Sequence, residues 1–154
     1  MRRTRLCICL GLTAAACAAD DPPSVASATA CGGAALGIAQ VQGPGPVSPE
    51  LDRLVTVEGA VTWVGAEADG QTDVFLQALT PDADPRTSEG LLVTLPADAD
   101  APVQGERVRV RGWVEEMAGV TAVSRVEVLE HCGSASLRPQ QLELSSLPPG
   151  ERWE

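Results

Sequence analysis

The chain has 154 residues, with 21 acidic groups set against 11 arginines, no lysine, and a formal net charge of −10. That surplus repels phosphate backbones at long range and speaks against a general nucleic-acid binder, in which the basic residues should outnumber the acids. A single histidine and the lack of a CxxC pattern leave little with which to build a zinc centre.

In chain order, the first element is an export signal. Arg2, Arg3 and Arg5 form a positive start, and Leu6 to Ala16 is an apolar and small-residue run. At eleven residues it is too short to span a bilayer, which takes roughly 20. Ala14, Ala15 and Ala16 then lead into Cys17, a series that resembles a bacterial lipobox with alanine in place of its usual leucine. Residues 1–16 are therefore expected to be removed and Cys17 to carry lipid, which anchors the chain to a membrane. Ala18 and Ala19 favour the outer membrane or cell surface. The competing reading is an ordinary signal cleaved nearby, with Cys17 incidental. Removing the three arginines without an acid takes the net charge from −10 to −13 with His131 neutral.

Residues 17–34 are small, polar and proline-bearing, and read as a flexible tether. Of the cysteines left after export, Cys31 and Cys132 form an even pair once Cys17 is lipidated. An oxidising compartment favours a disulfide between them.

Residues 35–144 suffice for one core, and their pattern is β almost throughout. Leu54 to Val64 alternates, with Val55, Val57, Val61 and Trp63 on one face and Thr56, Glu58 and Thr62 on the other. Strands are also expected over Asp73 to Leu79, Leu91 to Leu95, Glu106 to Val114 and Val120 to Leu129, separated by turn-rich stretches. A short helix around Pro49 to Arg53 is the most helix the pattern allows. The two longest strands share V-x-V-x-G-x-V, with Gly59 and Gly112 at the centre. A glycine inside a β-branched strand marks a bulge or sharp bend, and a small barrel closes only if its long strands bend. The expected fold is all-β, a small five-stranded Greek-key barrel of the OB type.

Arg107, Arg109, Arg111 and Trp113 alternate along one strand and so share a face. Basic groups interleaved with an aromatic could track a phosphate backbone and stack a base. Alternatively, the arginines pair with Glu58, Glu115 or other acids, and the glycine bend turns Trp113 away. Asp82, Asp84 and Glu89, and separately Asp98 and Asp100, form acidic loops without the spacing of a calcium hand. His131 beside Cys132 does not make a nucleophile pair, because adjacent strand residues point apart. No GxSxG, HExxH or Walker pattern is present, so no catalytic residue, cofactor or metal is assigned.

The ordered series Ile38 to Gly45, Ser48-Pro49, Val55 to Val61, Phe75-Leu76-Gln77, Asp82 to Pro85, Thr87 to Gly90, Val103 to Val108, Val110 to Glu115 and Gly119 to Thr121 resembles the OB-fold module of large secreted bacterial nucleases of the ExeM/NucH type. In that family the module precedes a metal-dependent nuclease domain, and residues 145–154 resemble the linker into it. The family's catalytic residues lie in that further domain, so none falls on a position of this sequence. The resemblance implies an accessory binding module, non-catalytic by itself. Its expected partners are the membrane through the lipid, a weakly held nucleic acid or polysaccharide, and a nuclease domain encoded separately. A structural lipoprotein without a soluble ligand and a truncated nuclease fragment are the other readings.

Overall fold

The structure, a computed structural model, describes residues 31–66 and 70–137. The signal segment 1–16, Cys17, the tether up to residue 30 and the linker-like tail 145–154 lie outside them, as do residues 138–144 at the end of the expected domain.

Five strands follow one short helix: α1 (Ile38–Gln42), β1 (Leu54–Ala66), β2 (Thr72–Gln77), β3 (Gly90–Leu95), β4 (Glu106–Met117) and β5 (Val120–Ser134). They form a closed barrel in the order β1-β2-β3-β5-β4, antiparallel everywhere except the β3–β5 pairing. The architecture is all-β and OB-fold-like, as the alternation predicts. Inward residues of every strand meet in one core, including Val57, Val61, Leu76, Val93, Val110 and Val123. Ile38 and Val41 of α1 are fully buried within it.

The expected helix at Pro49 to Arg53 is a pair of tight turns instead. Leu51 N–H reaches the Ser48 carbonyl at 3.3 Å and Arg53 N–H reaches that of Glu50 at 3.0 Å. Asp52 is left-handed, with φ 59°. The chain is then captured by β4, where Asp52 and Val114 N–H groups find the carbonyls of Val114 and Arg53 at 3.0 Å. The helix forms earlier, at Ile38–Gln42, and stops where Gly43 turns left-handed at φ 67°.

Gly59 stands where β1 changes partner. Its ladder to β4 runs from Leu54↔Trp113 to Ala60↔Arg107, and its ladder to β2 begins at Ala60↔Gln77. A Cβ on Gly59 would lie 3.0 Å from Leu76 Cβ and 3.1 Å from the Gln77 carbonyl, so the close approach of β2 needs the missing side chain. Gly112 marks the other bend. Arg111 pairs with Val128 and Trp113 with Ser124, so Arg125, Val126 and Glu127 bulge opposite Gly112. Arg125 is left-handed there, with φ 45°.

A third irregularity corrects the expected facing of Trp63. Between Val61↔Leu76 and Trp63↔Phe75 the register shifts by one residue at Thr62. One inserted residue reverses the alternation. Val61 therefore points into the core with none of its surface exposed, while Trp63 points out with 50% exposed.

The boundary of the barrel unit also differs from expectation. Residues 31–34, read as the end of the tether, are fastened to the barrel. Leu36 N–H donates to the Thr56 carbonyl at 2.8 Å, and Leu36 bridges Val57. Cys31 and Cys132 lie at disulfide-bonding distance, with Cα atoms 5.7 Å apart.

Candidate functional site

The arginine strand was the leading contact surface in the sequence. The β1–β4 ladder is unbroken, so Arg107, Arg109, Arg111 and Trp113 do occupy the outer side of β4. Their partners, however, lie within the protein. Arg109 is 1% exposed. Its guanidinium donates to Glu58 Oε1 at 2.6 Å, to the Gly33 carbonyl at 3.1 Å and to the Ala34 carbonyl at 2.5 Å. Arg107 donates to the other oxygen of Glu58, from Nε at 3.1 Å and from its terminal nitrogen. Gly32 N–H adds a bond to Glu58 Oε1 at 2.7 Å. Arg111 faces Glu127 at 3.5 Å. Trp113 lies under Arg125, whose guanidinium carbon is 5.0 Å from the ring centroid and which also pairs with Glu115 at 2.7 Å.

Glu58 is thus the hub that ties the N-terminal segment to β4. Burial is the largest influence on its carboxyl and pushes the pKa up. The hydrogen bonds from Arg107, Arg109 and Gly32 together outweigh it and hold the group below its ordinary 4.5. A carboxylate with a depressed pKa in the folded state stabilises the protein above its unfolded value, and loses that contribution as pH falls through the folded one. Wild type and a Glu58→Gln variant should therefore differ most in urea midpoint near neutral pH, and the gap should narrow below about pH 4.5. A gap that stays constant down to pH 3 would show that ionised Glu58 does not hold this segment.

The acidic loop between β2 and β3 is held by bonds among its own residues. Arg86 binds both oxygens of Asp84, at 3.0 and 2.7 Å, and holds that exposed carboxyl down to about 2. Asp82 accepts from Thr87 at 3.0 Å and from Asp84 N–H at 2.7 Å, and Glu89 accepts from Asp82 N–H at 2.8 Å. Among the described residues no three His, Cys, Asp or Glu side chains converge as a metal site. His131 Nδ1 meets Glu106 Oε1 at 2.7 Å, and that bond raises the imidazole pKa.

A different surface is open to a ligand. Across the outer face of β1, β2 and β3 the register aligns Trp63, Phe75 and Leu92 in one row. Trp63 is 50% and Phe75 40% exposed, and their rings meet edge to face with centroids 5.7 Å apart. Beside Phe75 runs a groove of about 260 Å³, lined by Gln42, Thr62, Gln77, Ser88, Leu92 and Val120 among others. Thr62 donates to the Phe75 carbonyl at 3.0 Å, and Gln42 Nε2 to that of Gly90 at 2.6 Å, which fixes the groove's polar fringe. The alternation puts Trp63 on the same face as Val61, so the row is not legible in the sequence without the shift at Thr62. Phe75 alone was detectable, as the outward residue between buried Val74 and Leu76.

Fold and site together define a small OB-type barrel with an aromatic outer face. No protein-family model matches the chain, and no curated protein matches it.

Proposed function

We propose that the chain is an exported, lipid-anchored binding module, related to the accessory domains of extracellular nucleases and without a catalytic centre of its own. The observation that carries this reading is the exposed Trp63–Phe75–Leu92 row. The face of β2 and β3 is the side of the OB barrel that takes oligonucleotides and oligosaccharides. Large aromatic side chains left in solvent on such a face, next to a groove with converging polar groups, are characteristic of a binding surface. The arginines of β4 are engaged within the protein, Arg107 and Arg109 by Glu58 and Arg111 by Glu127, and they support the barrel.

The N-terminal arginines, the short apolar run and Ala14-Ala15-Ala16-Cys17 support export and anchoring. The series of motifs along 35–144 supports kinship with the nuclease modules. Expressed with its own N-terminus, the wild-type chain should fractionate with membranes and be released by detergent, while Cys17→Ser should be recovered in the soluble fraction. Unchanged membrane association of that variant would contradict lipid anchoring at Cys17.

A further inference from the structure

We infer that the outer β1–β2–β3 face is a subsite for an uncharged oligosaccharide, with the Trp63 indole as its stacking platform. The inference rests on the reading of the chain as a binding module and adds the ligand's class and the groups that hold it. The first observation is how the indole is placed. A Cβ built on Gly65 would lie 1.8 Å from Trp63 Cη2, 2.4 Å from Cζ2 and 2.6 Å from Cζ3. The benzene ring of Trp63 therefore fills the space a side chain at 65 would take. It packs over Gly65 and meets Phe75 in a T-shaped contact, and half of its surface remains in solvent. Glycine at 65 is what admits that pose.

The second observation is charge. Among the described residues lining the groove there is no arginine, while Glu89 is present. Asp73 stands two residues from Phe75 along β2 and accepts from Thr94 at 3.1 Å. A nucleic acid laid here would find no cation to replace its counterions and would meet acidic groups. A sugar needs neither. Its C–H faces are apolar and suit an aromatic surface, and its hydroxyls match the Gln77 amide and the hydroxyl oxygens of Thr62 and Ser88, which keep accepting capacity along the groove.

The test is calorimetric titration of the purified chain with cellohexaose, chitohexaose and maltohexaose, and in parallel with a thymidine oligonucleotide at low and high salt. The expected result is saturable binding of at least one hexasaccharide, insensitive to salt. Trp63→Ala should weaken it about tenfold or more, the scale of losing an aromatic hot spot. Gly65→Ala should weaken it comparably, because it keeps every aromatic atom but displaces the ring. Val103→Ser, an exposed change in the loop before β4, should leave both binding and thermal midpoint unchanged. Thermal midpoints near wild type for the two face variants exclude unfolding as the cause. Glycan binding that survives both Trp63→Ala and Gly65→Ala overturns the platform. Oligonucleotide binding without glycan binding overturns the sugar class and leaves the binding-module reading standing. Absence of both overturns the inference together with the soluble-ligand reading.

Discussion

Replacing Arg109 with alanine should lower the stability of the barrel by about 3–5 kcal/mol, the range found when one partner of a buried ion pair is removed. The guanidinium is 1% exposed and satisfies Glu58 together with the carbonyls of Gly33 and Ala34. Without it, an ionised carboxylate loses its most buried partner and two carbonyls lose their donor. Lysine should not restore the loss, because one ammonium cannot present the planar fork that reaches three acceptors. Arg109→Glu should be worse than alanine, since it places a second acid against Glu58. Arg107→Ala is the internal contrast. Its side chain is a third exposed, and the same change there should cost no more than about 1 kcal/mol. Urea denaturation of the four variants measures this ranking. Arg109→Ala within 1 kcal/mol of wild type would show that β4 does not depend on the buried pair.

Opening the Cys31–Cys132 bridge should have the next largest effect. The two residues are 101 apart in sequence, and removing a native disulfide typically costs about 2–5 kcal/mol, by whichever mixture of chain entropy and native contacts it acts. Here a structural consequence adds to the loss. Cys31 is the anchor next to Gly32, whose N–H binds Glu58, and to Gly33 and Ala34, whose carbonyls bind Arg109. The bridge and the buried arginine therefore hold the same short segment. In a double-mutant cycle, Cys31→Ser/Cys132→Ser combined with Arg109→Ala should cost less than the two changes summed, as expected for groups sharing one structural element. Strict additivity in urea melts, or a stability unmoved by reductant, would contradict this coupling.

How far this was legible in the sequence differs by element. The five strands were readable because β-branched residues alternate with polar ones, as in Val55, Val57 and Val61 or in Val108 and Val110. Gly59 and Gly112 were readable as bends because a glycine there breaks an otherwise regular pattern. Helix α1 was not readable, since five residues barely exceed one turn and show no period. Nor was the bulge at Thr62, because an inserted residue has no composition of its own; it shows itself in the pairing with β2. That one shift moved Trp63 from the expected core to the exposed face and with it moved the candidate site. The lock at residues 31–34 was hidden for a different reason. Gly33 and Ala34 take part through backbone carbonyls, which any sequence supplies.

The alternation on β4 was correct as geometry and incomplete as function. Period two identifies which side chains share a face, but not what lies over that face. Glu58 is one of the partners the sequence offers the arginines, and it binds both Arg107 and Arg109. The partner that could not be named was the N-terminal segment, which crosses the strand from more than 70 residues away in sequence. Trp113, which a base would need as its stacking group beside those arginines, is covered by Arg125 from the β5 bulge.

The proposal that this chain binds and does not cut is tested most directly by a cleavage assay. Purified protein is incubated with single- and double-stranded DNA and with RNA, in magnesium, manganese or calcium, and the products are resolved by size. The account predicts intact substrates in every lane. Metal-dependent cleavage that follows the barrel through repeated purification would contradict it.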